Sequence, residues 1–300
     1  MSTSAETGAA RPDGVIHDIG YRGYQGPRLG RGYATRSLYT QSLRAAFGLG
    51  RSAKSKVLPM LVLAGIVLPA ALMVAMAIQQ QGTELPTDYP QYLNRIGLLM
   101  AEIFVAAQAP VLLSRDLRFS LVPLYFSRPI TRGDYVRAKG AAMVTALSVV
   151  MALPLLVLYA GALLAGFDFA HNTGHLAIGL LAAVLQAVVL SAIGLLIAAA
   201  TPRRGFGVAA IMAVLVVTSG VSTVLAGLHD GLDSASWSYL LAPSRAVQYF
   251  VNEVCGLVSS DRFSEIIGTP GTLGTVAFGL EIVALPAAAY VLLLRRYRKI

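Results

Sequence analysis

Residues Ser114–Gly140 read SRDLRFSLVPLYFSRPITRGDYVRAKG and lie between two long apolar runs. This stretch holds six of the chain's 24 lysines and arginines: Arg115, Arg118, Arg128, Arg132, Arg137 and Lys139. Short loops rich in Lys and Arg stay on the cytoplasmic side of a membrane. The loop therefore sets the direction in which the flanking runs cross. Among its charges sits an apolar knot, Leu121, Val122, Leu124, Tyr125 and Phe126. A charged loop with an apolar helical knob suits docking into a groove on another protein. The sequence thus predicts a contact between a membrane pathway and a soluble motor on a second chain.

Working outward, six runs reach the ~20 apolar residues needed to cross a bilayer. They cover about 57–78, 96–113, 141–165, 176–200, 206–228 and 272–294. Between them, Lys and Arg alternate sharply. Nine lie in the leading segment, six in the 114–140 loop, two in the 201–205 turn and four in the tail. The links at 79–94 and 166–175 carry none, and the segment at 229–271 carries two. This bias predicts that both termini face the cytoplasm, which in a bacterium means the inner side of the plasma membrane. The expected fold is an all-α integral membrane protein with six transmembrane helices. To these are added an interfacial amphipathic helix at the N-terminus, a cytoplasmic coupling helix and short extracellular helices.

Composition agrees. Mean hydropathy is +0.65; 56% of residues are hydrophobic and only 13% charged, against roughly 25% charged in soluble domains. The net charge of +9 sits in short segments flanking apolar runs, which fits membrane topology and not a nucleic-acid-binding surface. One cysteine, Cys255, allows no intrachain disulfide and no cysteine metal cluster. The first 56 residues contain no apolar core of a secretory signal, so the first span is expected to act as its own insertion signal.

Residues 1–33, rich in Gly, Arg and small polar residues, are expected to form a flexible cytoplasmic segment. Residues 34–56 have Tyr39, Leu43, Ala46 and Phe47 at helical spacing and Arg36, Thr40, Arg44 and Arg51 on another face. This predicts a basic helix along the inner membrane surface. Within the loop, a short helix over 117–126 and a tight turn at 127–130 are expected, followed by a capping box between Thr131 and Asp134 that opens the third helix. On the far side, His171 and His175 read as solvated loop residues, with Gly174 between them and no evident third metal ligand. In the 229–271 segment, Ser244 is expected to cap a helix with Val247, Phe250, Val251 and Val254 on its apolar face.

Glu102, Gln108, Gln186 and Glu281 fall inside the spans. Intramembrane ionisable groups are costly and face protein or a watery cavity, so these four are candidate pathway residues. Arg95 lies two helical turns before Glu102 and is a candidate partner for it. No G-x-x-x-x-G-K-[ST] loop, G-x-S-x-G or H-E-x-x-H motif occurs. The chain is therefore not expected to be an enzyme, nor to bind a nucleotide or metal cofactor itself.

S-R-D-L at 114–117, P-L-Y-F-S-R-P-I-T-R at 123–132 and D-Y-V-R-A-K-G at 134–140 resemble the permease subunits of ABC-2 type transporters. T-P-R-R at 201–204, L-A-P-S at 241–244 and the six-span plan extend the resemblance over roughly 34–300. It implies a type V exporter architecture, with two permeases, identical or paralogous, each docked on a cytoplasmic ATPase that holds ATP and Mg²⁺. The family's coupling helix would fall on about Asp116–Phe126, its elbow helix on about 34–56 and its outer re-entrant helices on about 235–256. Leu121, Leu124, Tyr125 and Phe126 would be packing knobs; Asp116, Arg118, Arg128 and Arg132 would be rim charges. The alternatives are an ion-coupled carrier using Glu102 and Glu281, or a non-transporting membrane regulator or immunity protein.

Overall fold

A computed structural model of the chain describes residues 26, 29–127, 129–228, 237–257 and 271–298. Most of the segment expected to be flexible, and Arg128, lie outside the described residues. Among the described residues there are helices and turns and no strand.

Six helical stretches among the described residues are long and apolar enough to cross a membrane, so by length and composition this is a multi-pass membrane protein. α1 spans Arg31–Ala46 and α2 Lys54–Gln79. The second crossing, Tyr89–Arg118, is composite: α3 (Tyr89–Tyr92), a π turn at Leu93–Gly97, α4 (Leu98–Leu112) and α5 (Ser114–Arg118). The short α6 (Val122–Phe126) precedes α7 (Arg132–Leu164), α8 (Phe169–Ala200) and α9 (Arg204–Leu228). A 3₁₀ turn at Ser238–Leu241 leads into α10 (Pro243–Val254), and α11 covers Thr272–Arg298.

α4 is the centre of the bundle. Its faces are closed by packing against α2, α7, α8 and α9, and 72% of the apolar 18-residue stretch of the second span is buried, against 17% of that of the fifth, α9. Apolar lipid gives helices no hydrophobic reason to associate, so close backbone approach must hold them. Gly161 of α7 lies against Val74 of α2, and Gly194 of α8 against Val105 of α4, each so close that a Cβ would collide.

The Lys- and Arg-bearing segments meet at one end of this bundle. Arg51, Arg115, Arg118 and Arg204 come from three separate parts of the chain and line a single cavity of about 150 Å³. Arg51 is pushed below the usual guanidinium value, by burial first and then by Arg115 and Arg204 beside it. The links without Lys or Arg lie at the opposite end. There Asp168 caps α8, accepting from the backbone N–H of Ala170 (2.7 Å) and His171 (3.1 Å). Those bonds hold its carboxyl below the usual range.

α1 differs from the expectation in length and in what it touches. It ends at Ala46, because Gly48 turns into the left-handed region (φ 68°) and Leu49 N–H closes onto Arg44 carbonyl at 2.8 Å. Its aromatic edge packs on protein. Tyr39 donates to Thr145 of α7 (3.1 Å), and the Phe47 ring lies 5.8 Å from that of Phe104 in α4. Arg31 meets Asp134 and Tyr39 meets Thr145, so α1 runs alongside α7 in the same direction.

Candidate functional site

The described part of the loop between the second and third crossings is anchored to the bundle. α5 stops at Arg118, where Ser120 adopts φ 51°. Leu121 N–H bonds Asp116 carbonyl (2.9 Å) and Ser120 N–H bonds Leu117 carbonyl (3.2 Å). This paired closure is a Schellman motif, usually built on glycine. The single helix expected over 117–126 is therefore two helices, broken at a serine that no composition rule marks as a breaker. Glycine would adopt the same backbone without the Cβ penalty.

Asp116 corrects the sequence reading most. Expected as a rim charge, it is 5% exposed. Its Oδ2 accepts from Lys139 Nζ at 2.8 Å and from the Tyr135 hydroxyl at 2.9 Å. Lys139 is equally enclosed, with its ammonium 5.6 Å from the Tyr135 ring centre and 6.0 Å from that of Tyr125. The pair ties α5 to the first turns of α7. Around it the rings interlock: Tyr135 with Tyr297 of α11 at 5.1 Å, with Tyr125 at 5.6 Å and with Phe126 at 6.1 Å. Ser114 adds a buried bond to Ala198 carbonyl of α8, 2.8 Å.

The same packing divides the residues expected as knobs. Tyr125 and Phe126 turn inward onto Tyr135, and Val122 is buried as the anchor of α6. Leu121 is half-buried. What protrudes is Leu124, 64% exposed, and Phe119, 61% exposed. Phe119 was not singled out by its spacing; only the break at Ser120 turns it outward. Arg118 lies 5.6 Å from the Phe119 ring and Arg132 5.6 Å from the Phe126 ring. Arg118 and Arg132 are both exposed.

The loop leaves through the expected capping box. Asp134 N–H donates to Thr131 Oγ1 (3.3 Å), and Thr131 N–H donates to Asp134 Oδ2 (3.1 Å). Two further groups use Asp134: Arg137 at 2.8 Å and Arg31 of α1, whose Nη2 lies 3.0 Å from Oδ1. Arg31 comes from 103 residues away, which is why spacing could not find it.

Within the bundle, Glu102, Gln108 and Gln186 are all buried, while Glu281 of α11 is half-buried. Ser244 is not the cap of α10. The helix opens on Pro243 at its first turn, with no side-chain cap. Ser244 is 4% exposed and lies within hydrogen-bonding reach of Glu102, with Arg245 a positive charge acting on the same carboxyl. Gln186, Ser244, Gln248 and Asn94 line one small cavity. Structure thus brings Glu102 and Gln186 together through Ser244, which no helical spacing links. Gln248 Nε2 donates to Pro90 carbonyl at 3.4 Å. α10 therefore starts beside Glu102 and runs towards the end holding α3. Val247 and Val251 face inward as expected, whereas Val254 is 60% exposed.

No family model matches this chain, and no curated protein matches it significantly.

Proposed function

We propose that this chain is the permease subunit of an ATP-binding cassette exporter of the ABC-2 type. In this reading the basic end faces the cytoplasm of a bacterial cell and both termini lie there. The 114–140 loop docks on a separate ATPase, which supplies ATP and Mg²⁺ chemistry that this chain lacks. A second copy or paralogue completes the pathway across the bilayer. Nucleic acid is not a partner.

One observation carries the reading: an exposed apolar pair, Phe119 and Leu124, stands on a base locked to α7 by buried Asp116 and Lys139. Exposed apolar side chains among Arg115, Arg118 and Arg132 have the make-up of a docking patch, with an apolar centre and a charged rim. A base held by a buried ion pair and interlocked rings passes displacement to α7, and Ser114 passes it to α8. A mobile loop would absorb such a push.

The test is the variant Phe119→Ala/Leu124→Ala. Truncating central interface residues costs roughly 2 kcal/mol or more, about thirtyfold in affinity at about 1.4 kcal/mol per tenfold. The ATPase that co-purifies with the wild type should be lost, while insertion and melting temperature are unchanged. Undiminished ATPase binding would refute the docking surface. A second reading, an ion-coupled carrier, draws on the Glu102 Oε1 and Glu281 Oε2 atoms, which are buried without a hydrogen-bond partner. Transport by vesicles with an ion gradient and no ATP would favour it.

A further inference from the structure

At the end of the bundle opposite the loop, three side chains from two distant segments converge. Residues 169–175 are helical, so His171 and His175 sit on the first two turns of α8 and not in a loop. Four residues apart, they share one face, and their rings stack with centres 4.1 Å apart. The third side chain is Asp88, which comes immediately before α3. One potential ligand atom from each of Asp88, His171 and His175 lies within 4.8 Å of the other two. Asp88 Oδ1 is 3.3 Å from His175 Nδ1, yet Nδ1 is buried without a hydrogen-bond partner.

We infer that Asp88, His171 and His175 form a binding site for a borderline divalent transition-metal cation, with Zn²⁺ its best probe. Two imidazoles and one carboxylate are a donor set for zinc, with bonds of about 2.0–2.2 Å and a fourth position left to water. Ligand atoms around such an ion stand roughly 3.4 Å apart in tetrahedral geometry. The Asp88–His175 separation already matches that, and the third donor closes the set with a small side-chain movement. The backbone is pre-set for it. Tyr89, next to Asp88, donates from its hydroxyl to Asn172 Oδ1 at 2.9 Å in the buried interior, and Gly179 of α8 faces Tyr89 so closely that an added Cβ would stand 2.9 Å from Tyr89 Cβ. These contacts hold the segment before α3 against the first turns of α8.

The ion has room. A cavity of about 200 Å³ is lined by Glu84, Asp88, Asp168, His171 and Asn172. Asp168 is committed to the backbone of Ala170 and His171 as the helix cap and is not counted as a ligand. The soft-to-borderline nitrogen pair selects zinc-like ions over Mg²⁺ and Ca²⁺, which prefer all-oxygen shells. Bound metal pins the segment between the first two spans to the start of the fourth.

The test uses the purified full chain in detergent, stripped with chelator and titrated with Zn²⁺ against a chromophoric competitor. Expected is one tight Zn²⁺ per chain, undisturbed by millimolar Mg²⁺, and a melting temperature raised by the metal. In His171→Ala/His175→Ala both effects should disappear. The elution volume should stay at the wild-type value and the metal-free melting temperature should change little, because His171 is exposed and His175 Nδ1 makes no hydrogen bond. A single variant, Asp88→Asn, should weaken Zn²⁺ binding at least tenfold. A wild type that takes up no more Zn²⁺ than the double variant, or a double variant that keeps the metal-induced melting shift, would overturn the site.

Discussion

The two halves of the molecule treat buried charge differently, although at the basic end the Tyr297 hydroxyl is buried without a hydrogen-bond partner. At the basic end each buried charge has a partner: Asp116 with Lys139 and Tyr135, Asp134 with Arg31, Arg137 and its own cap. In the middle and at the far end, buried polar atoms stand without one: Glu102 Oε1, Gln186 Nε2 and His175 Nδ1. A satisfied network in a low-dielectric setting specifies one arrangement and resists change. An unsatisfied group costs free energy unless water, an ion or a substrate completes it. The basic end is therefore a rigid platform, and the polar groups elsewhere are places for something to bind.

That contrast can be broken most decisively at Asp116. Asp116→Ala strands the Lys139 ammonium in an apolar setting, and removing one partner of a buried pair costs about 3–5 kcal/mol. Thermal or denaturant unfolding of the detergent-solubilised chain should show this. Asp116→Leu/Lys139→Met should lose far less than the sum of the two single changes. Strict additivity, or a wild-type melting temperature in Asp116→Ala, would mean that the platform is not held by this pair.

A smaller effect is expected at Ser244. Ser244→Ala removes the hydroxyl within hydrogen-bonding reach of Glu102 and should cost about 1–3 kcal/mol, the penalty for a buried partner left unmatched. A loss as large as that of Asp116→Ala would erase the distinction between the two regions. The smallest effect belongs to Thr131→Ala, which removes the cap at the start of α7 and should cost about 1 kcal/mol. If Thr131→Ala leaves stability unchanged, the Arg31–Asp134 contact alone holds that helix start, and the platform extends to α1.

Much of this architecture follows from local pattern. Six apolar runs mark the six crossings, since only a helix of about 20 residues satisfies its own backbone within a bilayer. The alternation of Lys and Arg correctly grouped the segments that the structure gathers at one end. The Thr131–Asp134 capping box was legible because both partners lie within one turn. The break at Ser120 was not, because a left-handed serine carries no compositional mark. With it went the orientation of α6, so Tyr125 and Phe126 point inward where their sequence context suggested knobs.

What the chain alone determined is the number and grouping of its membrane helices, because hydropathy and charge act over one span at a time. Tertiary structure alone decided which polar residues meet. Asp116 finds Lys139, Arg31 finds Asp134, Ser244 finds Glu102 and Asp88 finds His175 across 23 to 142 positions of sequence. Those contacts depend on which helices the close-packed glycines bring together, a property of the assembled bundle that no single helix carries.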